Sequence, residues 1–100
     1  MIEVETTRRF DDWLASLRDR GAVAIVVARI FRIRRGLLGD VKYIGSGVSE
    51  LRINHGPGYR VYLTYRSKTV ILLLCGGDKA KQASDIEFAK EAAARIAGRH

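Results

Sequence analysis

At 100 residues, 47% hydrophobic and 29% charged, the chain can build one core and little more, which excludes a disordered polymer and sets the reading at a single domain over residues 1–100. Eighteen Lys and Arg against eleven Asp and Glu leave a formal charge of +7, a surface that draws polyanions: nucleic acid first, otherwise an acidic protein or an anionic membrane. A single cysteine excludes an internal disulfide, and with two scattered histidines it offers no zinc spacing, so no metal and no cofactor are expected.

No apolar run approaches the roughly 20 residues of a bilayer span, and "MIEVETTRRF" lacks the basic-then-apolar layout of a signal peptide, so the expected location is the cytoplasm. Residues 2–5, "IEVE", alternate and suit a short strand. Thr6 or Thr7 then caps a helix with Phe10, Trp13, Leu14 and Leu17 on one face, and Gly21 stops it. In "AVAIVVARIFRIRRG" a period of 3.6 gathers Val23, Val26, Val27, Ile30 and Ile33 against Arg29, Arg32 and Arg35, predicting a second helix whose arginine row reads as a solvated face, or else as a grip on RNA or an acidic protein segment. Four strands follow, "VKYI", "VSELRIN", "YRVYLTYR" and "TVILLLC", with "HGPG" and "SK" as hairpin links. The last segment, "SDIEFAKEAAARIAG", has Ser84 and Glu87 at capping-box spacing before an apolar stripe. The order β-α-α-β-β-β-β-α predicts an α+β fold, a mainly antiparallel sheet with its helices on one face.

Strand alternation places Leu51, Ile53, Val61 and Leu63 on one side, and Glu50, Arg52, Arg60, Tyr62 and Thr64 on the other. Directly opposed residues of an antiparallel pair share a face, so Arg52 and Arg60 become neighbours, a costly repulsion unless Glu50 compensates or an anion is expected. The segment "CGGDK" then closes the apolar strand, its glycines read as turn residues, and Asp78, Lys79 and Lys81 emerge at one sheet edge. If that edge carries Arg52 and Arg60, four cations meet on a concave, helix-free face. Cys75, ending an apolar strand, reads as a small hydrophobe.

The blocks "GDVKYIGSGVSELRINHGPGYRVYL" and "LLLCGGDKAKQASDI" closely resemble toxins of the RelE/ParE superfamily, in particular the HigB-like addiction-module killer proteins, and the likeness covers nearly the whole chain. The resemblance implies a RelE-like fold, an N-terminal helical hairpin packed on a small, mainly antiparallel sheet. It also implies a toxin of a type II toxin–antitoxin module that cuts mRNA on the ribosome without metal and inhibits translation. The implied partners are an antitoxin of helix-turn-helix type encoded beside it, mRNA and the ribosome, and operator DNA only through the antitoxin, with no membrane. By position in the motif, Arg60 matches the arginine on the scissile phosphate, Arg52 the basic residue of the preceding strand and Lys79 the one after the last strand.

The implied chemistry, attack of a ribose 2′-OH on the adjacent phosphate, needs cations around a phosphate gaining charge and groups that move protons. Tyr62 is the candidate to stack on a base or donate its proton, and Lys79 or Lys42 the candidate amine for a lowered pKa. Lys42, Lys81, Arg66 and His55 complete the residues assigned to RNA contact, although Arg66 beside a turn also reads as ordinary solvated charge. Two other readings stand beside the nuclease: a ParE-like protein that inhibits DNA gyrase by binding, and a non-catalytic regulator that only binds its antitoxin. Fold does not separate them, because function resides in the site.

Overall fold

The computed structural model describes residues 1–98. In chain order the elements are β1 (Glu3–Thr6), α1 (Arg8–Ser16), α2 (Arg20–Arg34), β2 (Val41–Gly45), β3 (Val48–Ile53), β4 (Tyr59–Ser67), β5 (Val70–Asp78), a 3₁₀ turn (Lys79–Lys81) and α3 (Gln82–Ala97). The α+β class and the order β-α-α-β-β-β-β-α are those expected from the sequence.

The five strands form one sheet in the order β1-β5-β4-β3-β2. Strands β2 to β5 are an antiparallel meander, which short hairpin links permit. Strand β1 pairs in parallel with β5, Glu3 to Thr6 opposite Val70 to Leu73, so the first strand closes the sheet beside the last. There Thr7 ties the start of α1 to β5. Its N–H donates to the Leu73 carbonyl, its hydroxyl to the Leu74 carbonyl at 2.7 Å, and the same oxygen accepts the Phe10 N–H as the helix cap.

The helices do not share one face of the sheet, as the element order suggested. Helices α1 and α2 bury Phe10, Ala22, Val26 and Ile33 against Leu51, Ile53, Val61, Leu63, Ile71 and Leu73. Helix α3 buries Ala89, Ala92 and Ala93 against Val48, Tyr62, Leu72, Leu74 and Cys75 on the opposite face. The physical reason lies in β5, which is apolar on both sides: a strand of that kind must be covered twice, each fully buried aliphatic side chain contributing about 1.5–3 kcal/mol.

Three local expectations also change. Helix α1 ends at Ser16, and Gly21 does not stop it but lies in the first turn of α2, where Asp19 caps the Gly21 and Ala22 N–H groups. Ser84 is inside α3, its hydroxyl donating to the Lys81 carbonyl, so the Ser84/Glu87 capping box does not form; Asp78 instead caps the 3₁₀ turn through the Lys81 N–H. Strand β5 continues through "CGGD", so Gly76 and Gly77 are strand residues and make no turn. Each is a point of close approach on a different face: a Cβ on Gly76 would overlap the Trp13 ring of α1, and a Cβ on Gly77 would overlap the Asp85 carboxylate of α3.

Among the described residues no helix is long and apolar enough to cross a membrane.

Candidate phosphate-binding site

The register of the central hairpin is the one that alternation implies. Arg52 faces Arg60, Glu50 faces Tyr62, and Leu51 faces Val61. The adjoining strands extend both rows, with Lys42 opposite Glu50 and Gly77 opposite Arg60. Gly77 offers no side chain beside Arg60 at the end of β5, and the Asp85 carboxylate of α3 takes the space over it. The loop between β3 and β4 is drawn to the same place, since the Lys79 N–H donates to the Gly58 carbonyl at 2.9 Å.

A cleft of about 330 Å³ results, lined by Asn54, His55, Gly58, Arg60 and Lys79 among others. Arg60 and Lys79 flank Gly58, and Arg52 stands across the hairpin from Arg60. Of the four cations that the sequence sends toward one spot, Arg60 and Lys79 line this cleft, and Arg52 faces Arg60 across the hairpin without lining it.

Glu50 resolves the electrostatic cost of opposing two arginines. Its carboxylate, only 4% exposed, lies 3.5 Å from Arg60 Nε and 3.9 Å from Arg52 Nε, and accepts a 2.9 Å hydrogen bond from the Gln82 amide at the start of α3. Asp40 adds a second carboxylate 3.6 Å from Arg52. Locally, then, three cations stand against two carboxylates. One carboxylate oxygen of Glu50 thus holds both guanidiniums. Arg60, its side chain 12% exposed, is held in place, with its terminal nitrogen donating to the Tyr59 carbonyl; Arg52, 38% exposed, is the more accessible of the two. The Nε atoms of both arginines are buried toward Glu50 without a geometrically sound hydrogen bond among the described residues, so the carboxylate answers them through charge.

Other sequence candidates fall elsewhere. Tyr62 shares the polar face but is completely buried in the α3 cluster, so it offers no ring face to a base and no route for its proton to a bound substrate; this corrects its expected role. Burial first, and then the charges of Glu50 and Asp85, push its phenol well above the ordinary value, so it stays protonated. Arg66 pairs with Glu5 at 2.9 Å near β1, about 20 Å along β4 from Arg60 at the usual strand rise. His55 lines the cleft but places its Nε2 2.9 Å from Asp19, tying the loop to the α2 cap. Lys42 is exposed one register row away from the arginine pair, and Lys81 lines a different cavity.

The face is not helix-free, since the first residue of α3 touches Glu50. The arginine row of α2 is not wholly solvated either: Arg29 donates to the carbonyls of Arg52 at 2.8 Å and Leu38 at 2.9 Å, clamping α2 to the entrance of β2 and the end of β3. Cys75 is buried, its thiol pushed up to about 12 by desolvation and the nearby Asp85 charge, so no thiolate nucleophile is present near neutral pH. Two residues central to the site were not assigned to it from sequence. Glu50 was legible only as a compensating charge, and Gln82, arriving from a distant helix, had no local signal.

No protein-family model matches the chain. It is 47% identical over 89 residues to a protein of Haemophilus influenzae (strain ATCC 51907 / DSM 11121 / KW20 / Rd) that carries the name "Uncharacterized protein", and the match spans 89% of this chain and 90% of that one. With near-complete mutual coverage at this identity, the chain belongs to the same family as that Haemophilus influenzae protein.

Proposed function

We propose that the chain is the toxin of a type II toxin–antitoxin module, of the RelE/ParE superfamily and its HigB-like branch, acting in the cytoplasm as a ribosome-dependent mRNA endoribonuclease that needs no metal. The observation that carries the reading is the opposition of Arg52 and Arg60 across the β3–β4 hairpin, with Lys79 delivered to the same cleft by the end of β5. The α+β order and the sequence blocks that resemble those toxins support it.

In this reading the scissile phosphate displaces Glu50 from between the guanidiniums. The 2′-OH loses its proton as its oxygen bonds phosphorus, the P–O5′ bond breaks and the 5′-oxygen takes up a proton, so the products are a 2′,3′-cyclic phosphate and a 5′-hydroxyl. Arg60 and Lys79 stabilise the charge that builds on the non-bridging oxygens. The cognate antitoxin, of helix-turn-helix type, silences the site and carries the complex to operator DNA.

The test is Arg60→Ala, scored by growth arrest on induction and by mapping mRNA ends in translating cells. We expect cleavage to fall by about 10²–10³, the scale of losing one transition-state partner. Undiminished toxicity of the variant would remove Arg60 from the chemistry. Arrested growth with intact message and inhibited DNA supercoiling would assign the chain to gyrase binding, and harmless expression of wild type would leave an antitoxin-binding regulator.

A further inference from the structure

Helix α2 is apolar on the side that faces water as well as on the side that faces the sheet. Its inner side buries Ala22, Val26 and Ile33. At 3.6 residues per turn Ala24, Val27, Ala28 and Phe31 fall within a second stripe about 100° wide on the outer side, the width that a helix normally turns toward its core. All four are exposed, Val27 by 37% and Phe31 by 58%. Arg29, the charge in the middle of the helix, does not interrupt the stripe, because its guanidinium is committed to the carbonyls of Arg52 and Leu38.

Charge brackets this stripe. Arg20 lies in line with it one turn before Ala24, and Arg35 one turn after Phe31, with Arg32 and Arg34 close by. All four arginines are exposed, and none belongs to an ion pair among the described residues. Helix α2 holds no acid, and the neighbouring Asp19 is turned to the helix cap and to His55. Arg32 and Arg34 suit the negative end of the helix dipole. Arg20 stands at the positive end, where a cation is unfavourable, so helix stability does not account for it. The Arg34 guanidinium lies 5.4 Å from the Phe31 ring, so an acid that reaches it arrives beside the exposed aromatic.

These features discriminate among occupants. A second copy of the chain would lay α2 on α2 and bring arginine to arginine in either direction, with no acid on the helix to answer them. An anionic membrane would take up the stripe only by drawing in Arg20 and Arg35, which lie in line with it and not along its flanks. A helix that carries two turns of apolar side chains between acidic residues meets the stripe and the arginines together, with Phe31 as the aromatic anchor. Arg20 and Arg35 stand about 22 Å apart along the axis, which is about four turns of such a partner.

We propose that the outer face of α2 is a docking surface for an acidic amphipathic helix of another protein, with Phe31 and Val27 as apolar anchors and Arg20 and Arg35 as the charge contacts at either end. No residue of α2 lines the Arg60 cleft, so this surface is independent of the nuclease reading.

The probe is a synthetic alanine-rich helical peptide of about 16 residues, with leucines at i, i+3, i+4 and i+7 and a pair of glutamates at each end, titrated against the intact chain by fluorescence anisotropy. We expect binding that Phe31→Ser weakens at least about tenfold, the loss of one anchor. Arg20→Glu should also weaken it, and should strengthen binding of the same peptide with lysines in place of the glutamates. Arg95→Glu, an equal change of charge at an exposed position of α3 on the other face of the sheet, should do neither. Phe31 and Arg20 are exposed, so both variants keep the core intact. No binding at millimolar peptide, equal binding of a glutamine version of the peptide, or equal losses from Arg20→Glu and Arg95→Glu overturns the proposal. So does a dimer in sedimentation equilibrium, or uptake by phosphatidylserine vesicles, that Phe31→Ser abolishes, since the stripe then belongs to a second copy or to a membrane.

Discussion

Gly76 and Gly77 are adjacent in sequence and answer to opposite sides of the sheet. Trp13 presses on the first from α1, and its ring is fixed by Phe10 at 5.7 Å and Tyr59 at 6.2 Å between centroids. Asp85 presses on the second with the free end of a short side chain. Gly76→Ala therefore has nowhere to push its neighbour and should destabilise by about 1–3 kcal/mol, the usual penalty of overpacking, whereas Gly77→Ala can rotate the carboxylate aside and should cost less. Urea unfolding of the two variants checks the order, and a larger loss for Gly77→Ala would mean that Asp85 is the more rigid neighbour. Glu50 is the other decisive residue. Glu50→Gln removes the counter-charge of two opposed arginines and should cost about 3 kcal/mol, as breaking a buried pair does. The vacated guanidiniums then become an anion site, so inorganic phosphate should raise the variant's melting temperature more than wild type's. Equal responses would show that the arginines do not converge. Glu50 was foreseeable because it lies two residues from Arg52, and the pleat sets both on one face. That Tyr62 is sealed was not foreseeable, since alternation assigns a face but not what covers it.

At the level of elements, the meander β2 to β5 was legible because its pairings are local, each set by a short turn and a two-residue period. The parallel docking of β1 on β5 and the placement of α3 on the far face join segments some 65 residues apart or depend on which side of β5 is covered first, and no local pattern encodes either. The same holds for Arg29, whose 3.6-residue phase marked it as solvated while its guanidinium reaches carbonyls of the β2–β3 region. A further long-range tie joins the "HGPG" loop to α2. Asp19 caps the helix with one oxygen and meets His55 with the other, and the His55 hydrogen bond, followed by the helix N–H groups, holds its carboxyl below the ordinary value. A lowered folded pKa means stability that is present above the unfolded value near 3.8 and lost as pH falls through the folded one. Asp19→Asn keeps a good cap but not the charge. Its melting temperature should lie below that of wild type at pH 6, and the gap should begin to narrow near 3.8 and close only as pH falls through the lowered folded value, where both side chains are neutral. A gap that persists in acid would assign the effect to cap geometry and not to the carboxylate.

For the whole molecule the question is whether a charge of +7 acts as a diffuse coat or as a focused site. The positions of the cations distinguish the two. Lys79 stands at the cleft beside Arg60, while Arg66 is answered by Glu5 at the other end of β4. Binding to single-stranded RNA weakens with salt by a slope of about −0.7 for each phosphate neutralised, because each contact releases condensed counterions. A focused site predicts that Lys79→Ala flattens the slope by about 0.7 and that Arg66→Ala leaves it unchanged. Arg60 should contribute less than a full contact in wild type, because Glu50 already serves as its counter-ion, and Glu50→Gln should steepen the slope. Fluorescence anisotropy of a 2′-O-methyl RNA, which has no free 2′-OH to react, measures all three across a salt series. If Arg66→Ala and Lys79→Ala flatten the slope alike, RNA adheres to the general positive surface and the placement of Arg60 and Lys79 at one cleft has no bearing on recognition.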